Sequence, residues 1–221
     1  MKRKNPYAEA LNKWLECKHK IKFKKKPKGG FTRNVGRRII KRVWGLTHTL
    51  SEIEETGLKE WHKDRVRKEM NYIFEVAETY NGRLTNEGAW NVDRFVMRNV
   101  LDALYRLNQK EILNKKINEW LERSKLPVEW QYKNYWFGPG QKNLPGFNKN
   151  AGMYGNSDAM FIQIMGISGK LLNESKYLKR AHEFVELMED QLLPAGGFNY
   201  IFSTNEINLY HGLNIECLAR Y

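Results

Sequence analysis

Residues 155–192, which read GNSDAMFIQIMGISGKLLNESKYLKRAHEFVELMEDQL, decide the fold of this chain. Apolar side chains lie on almost all sides of a helix predicted over 157–172, which is typical of a helix buried on all sides. From 175 to 192 they form one stripe at three- and four-residue spacing, opposite charged side chains, which predicts a helix on the outside of the fold. The stretch therefore predicts a hairpin of one buried and one amphipathic helix.

The same periodicity extends along the chain on both sides of this hairpin. Apolar positions predict further helices over about 35–46, 58–80, 87–108 and 110–123, and one that begins near Asn205. Residues 124–155 contain three Pro and five Gly together with seven aromatic residues, which predicts a long, ordered loop. The chain is therefore expected to be all-α and built from antiparallel helix hairpins.

The last predicted helix carries an apolar stripe but shows no stop signal before Tyr221. An apolar helix needs other elements to cover it. We therefore expect further helix pairs to follow, so that the sequence is part of a longer chain.

Positive charge is concentrated at the N-terminus. Residues 1–30 contain 11 Lys and Arg against 2 Glu, which leaves only a small excess of positive charge for residues 31–221. A segment of this kind attracts nucleic acid, anionic lipid or acidic polysaccharide, although it can equally be a solvated tail. We expect a basic arm over residues 1–30 and a helical domain over residues 31–221.

Several kinds of site find no support in the sequence. Cys17 and Cys217 lie too far apart for a zinc motif and form no disulfide framework, so we expect a reducing compartment, no metal and no cofactor. The segment 166–170 resembles a phosphate-binding loop but lacks its spacer, and we interpret it as small residues in helix packing.

No signal peptide or transmembrane segment is evident, which predicts a cytoplasmic or virion-associated protein.

Polar clusters open three of the predicted helices. Asn, Ser and Asp at such positions are good N-caps, and capping alone accounts for part of the pattern. Helix N-termini also present free N–H groups and partial positive charge, so several of them around one hollow would bind an anionic ligand. The residues in these clusters that point to a site are Trp90, Asn91, Arg94, Asn156, Asp158, Asn205, Asn208, Tyr210 and His211.

The third predicted helix carries a second stripe beside its apolar one. Asn91, Arg94, Arg98 and Asp102 recur at three- and four-residue spacing. Two interpretations remain open at this point, a solvated face with local ion pairs and a polar face that lines a site.

The alternation of buried and amphipathic helices, with the Gly-Gly-Phe-Asn-Tyr turn at 196–200, resembles the α/α toroids. These include six-hairpin glycosidases, polysaccharide lyases and terpenoid-cyclase-like proteins, although no Asp-rich motif supports the last class. The resemblance covers residues 33–221 and implies part of a toroid whose inner helices start around a common cleft. In the glycan-active members that cleft holds sugars.

The resemblance implies that Tyr210 or His211 removes a proton beside a uronic-acid carboxylate, while amide and guanidinium donors stabilise the charge that develops. His211 can also be interpreted as a core histidine. The aromatic residues of the loop, Trp136 among them, would stack on sugar rings. Hydrolysis would instead require two carboxylates across the cleft, and the available ones are Glu87, Asp93, Asp158 and Glu206.

Two classes of function follow from the sequence. The first is a polysaccharide lyase or glycoside hydrolase that acts on an acidic polysaccharide. The second is a non-enzymatic structural or virion-associated protein whose basic arm binds nucleic acid or another polyanion.

Overall fold

A computed structural model of the chain describes residues 60–84, 90–135, 155–189 and 208–221, and the single positions 10, 45 and 192. For residues 60–62, 90–92 and 208–210 it describes the backbone alone. The described residues form six α-helices and no strand, which confirms the all-α class. The helices are α1 (Glu60–Thr79), α2 (Trp90–Gln109), α3 (Asn114–Asn134), α4 (Gly155–Leu172), α5 (Ser175–Glu189) and α6 (Asn208–Ala219).

Most of the described helices lie where the periodicity predicts them, but α3 is longer than predicted. It continues from residue 123 to Asn134 with Pro127 inside it, so the predicted loop over 124–155 is wrong in its first part. A proline inside a helix typically costs about 3 kcal/mol because it removes a hydrogen bond and crowds the preceding turn. Burial of Val128 beyond the proline, and of Tyr135 just after the helix, favours continuation of the helix. The predicted helix over 35–46, the basic arm and the turn at 196–200 lie outside the continuous described ranges.

The chain divides into two compact units, Met1–Pro127 and Val128–Tyr221, with the boundary inside α3. In the first unit, α1 and α3 are joined by specific polar contacts. The indole N–H of Trp120, which is fully buried, donates to Asn71 Oδ1 at 2.7 Å. Arg123 donates to both carboxylate oxygens of Glu78, at 2.7 and 3.1 Å, and its guanidinium lies 5.5 Å from the ring centre of Phe74.

Charged side chains of α2 are buried in the first unit. Arg94 is 2% exposed, Arg98 9% and Asp102 4%, so the interpretation of this stripe as a solvated face is wrong. Asp102 forms an ion pair with Arg106 at 3.3 Å, and Asp93 accepts the backbone N–H of Leu84 at 2.6 Å. Sequence periodicity could not decide between the two interpretations, because it cannot show how many sides of a helix are covered.

In the second unit, α4 and α5 form the predicted hairpin. Residues 155–169 of α4 are buried without interruption, whereas α5 buries only Tyr177, Ala181, Phe184 and Met188. The rings of Phe161 and Phe184 lie 4.6 Å apart, and Tyr135 at the end of α3 lies 4.8 Å from Phe161. One buried and one amphipathic helix is the arrangement that the spacing of apolar residues predicts.

Glycines of α4 allow its neighbours to approach closely. A Cβ atom on Gly166 would lie 2.3 Å from the ring of Tyr221, and one on Gly169 would lie 2.4 Å from the side chain of Leu178. Lys170 Nζ also donates to the backbone oxygen of Tyr221 at 2.8 Å, and α6 packs against α4. The segment 166–170 therefore lies within a helix, which confirms its interpretation as close packing.

We predict that Gly166→Ala lowers the free energy of unfolding by about 1–3 kcal/mol, because the added methyl group must displace the ring of Tyr221. The matched control is Gly212→Ala in α6, where a Cβ atom would meet nothing within 4 Å. Since alanine favours helix over glycine, Gly212→Ala should stabilise the protein by about 0.5–1 kcal/mol. Urea unfolding of both variants measures these changes, and equal effects of the two substitutions would contradict the packing described for α4.

A polar cluster joins the end of α3 to the start of α5 within the second unit. Glu129 accepts from the Tyr177 hydroxyl at 2.8 Å and from Lys176 at 3.0 Å, and Lys133 lies 3.3 Å away. Burial alone would raise the pKa of Glu129, but these hydrogen bonds outweigh burial and lower it. The pKa of Lys176 is raised, chiefly by its hydrogen bond to Glu129.

We predict that the contribution of Glu129 to stability is lost in acid. A lowered folded-state pKa means that this contribution is present above the ordinary glutamate pKa of about 4.3 and disappears as the pH falls through the folded-state value. Glu129→Gln should therefore reduce the free energy of unfolding by up to about 1 kcal/mol at neutral pH, a limit set by partial exposure. The difference in the free energy of unfolding between Glu129→Gln and the unsubstituted protein should vanish at pH values below the folded-state pKa of Glu129.

Urea unfolding of both proteins across the acid range measures this effect. The control is Glu122→Gln, because Glu122 is 70% exposed and pairs only with Lys125 among the ion pairs of the described residues. A difference for Glu129→Gln that stays constant with pH would show that its source is not the carboxylate charge.

Candidate functional site

The start of α4 gathers buried polar side chains. Asn156, Ser157 and Asp158 occupy its first turn and are 6%, 1% and 1% exposed. The hydroxyl of Tyr135, which follows α3, donates to the Asp158 carboxylate. Burying so much polar surface is costly unless it is paired, so this bond helps to fix the start of α4 against the end of α3.

Two amide side chains of α4 lack hydrogen bonds at their oxygens. The Oδ1 atom of Asn156 and the Oε1 atom of Gln163 are buried without a partner. These residues are seven positions apart, so they lie on the same face of the helix. A buried carbonyl without a partner typically costs about 1–3 kcal/mol, and a donor on a ligand would remove that cost.

One face of α6 is exposed at the start of the helix and buried further along it. Cys217 and Asn214 are 0% and 1% exposed, and His211, one turn before Asn214 on that side of the helix, is exposed. The interpretation of His211 as a core histidine is therefore wrong. Its imidazole is exposed to solvent at the N-terminal end of α6. Asn208 and Tyr210 belong to the same end of this helix.

The remaining predicted site residues are distributed as follows. Trp90 and Asn91 begin α2 in the first unit, where Arg94 is buried. Trp136 and Asn205 lie outside the described residues, as do Glu87 and Glu206. Of the two described carboxylates proposed for hydrolysis, Asp93 belongs to the first unit and Asp158 to the second. Within the second unit, the described candidate residues therefore lie at the starts of α4 and α6.

Sequence reasoning missed Tyr135 and Gln163 as members of this region. Tyr135 was assigned to the predicted loop, and its role depends on the extension of α3 past Pro127. Gln163 is the one amide within the apolar run AMFIQIMGI at 159–167, and that contrast is a signal that the sequence does contain.

Within the parts of the chain that the structure describes, no group of three or more His, Cys, Asp and Glu side chains could hold a metal ion. None of the described helices combines the length and apolarity needed to cross a membrane. Comparison of the chain with protein-family profiles, with curated proteins and with solved structures found no match.

We predict that Gln163→Met stabilises the protein by about 1 kcal/mol, because a side chain of similar size replaces a buried amide whose oxygen is unpaired. Chemical denaturation with urea measures this change. Gln109→Met is the control, since Gln109 is exposed at the end of α2 and should respond little. A loss of stability for Gln163→Met that exceeds the control would show that the amide is hydrogen-bonded in solution.

Proposed function

We propose that this protein is a glycan-active enzyme whose helix hairpins form part of an α/α toroid, and that it acts on an acidic polysaccharide at the starts of α4 and α6. The observation that carries the proposal is the exposed imidazole of His211 on the same helix side as the buried Asn214. The imidazole is a group that could accept a proton at the start of α6.

Contacts just beyond the end of α6 support bringing the two helix starts together. Tyr221, just beyond α6, contacts Gly166 and Lys170 in the second half of α4. At 1.5 Å per residue, the twelve residues of α6 span about 18 Å. Only the part of α4 before Gly166 is long enough to accompany a helix of that length, so α6 would run parallel to α4, with His211 near the level of Asn156.

Charge at the start of α4 suits an anionic substrate. The first turn of a helix has N–H groups without intrahelical partners and the positive end of the helix dipole. A uronic-acid carboxylate could accept from such groups, as anions do at other helix starts. The unpaired oxygen of Asn156 would accept from a sugar hydroxyl, which satisfies an atom that otherwise has no partner.

The reaction proposed is β-elimination. Tyr210 or His211 takes the proton at C5 of the uronic acid, and the electron pair of the C5–H bond forms the C4–C5 double bond. The C4–O bond then breaks, and its oxygen receives a proton as the new chain end. Donors near the carboxylate stabilise the negative charge that develops on it during proton removal.

The test is to incubate the full chain with polygalacturonate, alginate and heparin and to follow both the absorbance of unsaturated uronides and the number of reducing ends. Elimination raises both signals, whereas hydrolysis raises only reducing ends. Tyr210→Phe and His211→Ala should each reduce the rate by at least about 100-fold, the usual contribution of general acid–base catalysis. Since His211 is exposed, its replacement should leave urea unfolding almost unchanged.

Matched controls separate catalysis from folding. His182→Ala removes another exposed histidine, one that contacts Tyr221, and Tyr105→Phe removes the hydroxyl of an exposed tyrosine on α2. Both should retain activity. Activity that survives in Tyr210→Phe and His211→Ala, or is lost in parallel with stability, would overturn the assignment of these residues.

The second candidate function is polyanion binding without catalysis. The net charge of +9 on residues 1–30 favours it, because such a segment binds acidic polymers with strong salt dependence. In the same assays this function gives salt-sensitive binding of the polysaccharides, without new chain ends, and deletion of residues 1–30 would abolish that binding.

A further inference from the structure

The first unit contains a surface pocket of about 490 Å³ between the start of α1 and the turn that joins α2 to α3. Lys63 and Arg67 line it from α1, and residues 111–116 line it from the turn and the start of α3. Four of the lining side chains are cationic, and Glu111 is the one acidic residue among them. The volume falls in the range that small-molecule sites occupy.

We infer that this pocket binds a tetrahedral oxyanion group, a phosphate ester or a sulfate ester. Lys63 and Arg67 are one helical turn apart on α1, and Lys115 and Lys116 open α3, so positive charge borders the pocket on two sides. The half-buried side chains of Ile112 and Leu113 add an apolar surface between them. The start of α3 contributes the positive end of a 21-residue helix to the same region.

Two ion pairs at the pocket lie at the surface. Arg67 pairs with Asp64 at 2.6 Å, and Lys116 pairs with Glu119. Both pairs are exposed to solvent, with side chains 34% to 53% accessible. Exposed pairs contribute little to stability, so an oxyanion group whose oxygens meet several cations at once can compete with single carboxylates. This site is independent of the activity proposed for the second unit.

The experiment titrates the ¹⁵N-labelled full chain with sodium sulfate, glucose 6-sulfate and glucose 6-phosphate at constant ionic strength. Backbone amide signals are followed by two-dimensional NMR. Signals of residues 111–116 and of Lys63 and Arg67 should shift and saturate together for at least one probe. The probe that binds most tightly identifies the sulfate or the phosphate ester as the preferred group.

Variants test whether the pocket is responsible. Lys63→Ala combined with Lys115→Ala should raise the Kd by about tenfold, because two of the charges that attract the anion are gone. Lys125→Ala combined with Lys179→Ala removes the same charge outside the pocket and should leave the Kd unchanged. Lys115→Glu alone provides a second variant at an exposed position, should the first fold poorly.

Three results would overturn the inference. One is the absence of saturable shifts with all three probes. Another is a Kd that both double variants change equally, which would indicate attraction to the net charge of the chain. The third is a set of shifts confined to residues 1–30, which would place the anions on the basic segment.

Discussion

The close approach of neighbouring elements to α4 is the constraint on which the second unit depends. Gly166 leaves space for the ring of Tyr221 and Gly169 leaves space for Leu178, so α5 and the end of α6 reach the helix axis more closely than a side chain would allow. Dispersion contacts fall off steeply with distance, so this proximity adds packing energy along the helix. It also explains how fifteen consecutive residues of α4 can be buried.

Because α4 is buried, its polar side chains need hydrogen-bond partners within the protein or on a ligand. Apolar side chains fill most of this helix, yet Asn156, Ser157, Asp158 and Gln163 are buried with them. Asp158 is bonded to Tyr135, whereas the carbonyl oxygens of Asn156 and Gln163 have no partner. Natural cores seldom leave polar atoms unpaired, so these two amides are atoms for which the proposed activity would offer hydrogen-bond donors. They connect the packing of the second unit to the activity proposed for it.

The first unit handles charge differently. Its buried charges among the described residues are Glu69 on α1 and four residues of α2, while Lys63, Arg67, Lys115 and Lys116 border a pocket open to solvent. Burial is tolerable for a charge that has close polar partners, as Asp102 has in Arg106 and Asp93 has in the N–H of Leu84. Cations at the surface remain hydrated and exchange their partners easily. Charged residues of this unit therefore lie in two environments. Those on α2 are buried, whereas those at the pocket lie at the surface, where we infer that they attract an anion.

By itself, the sequence determined the helical class, the pairing of a buried α4 with an amphipathic α5 and the close packing at residues 166–170. These features follow from the spacing and size of side chains, which are local properties of the chain. The tertiary structure decided the continuation of α3 through Pro127, the burial of Arg94, Arg98 and Asp102, and the exposure of His211. Each of these depends on which surfaces other elements cover, and residues distant in sequence supply that cover. The bond between Tyr135 and Asp158 is of the same kind, because it joins two helices that only packing brings together.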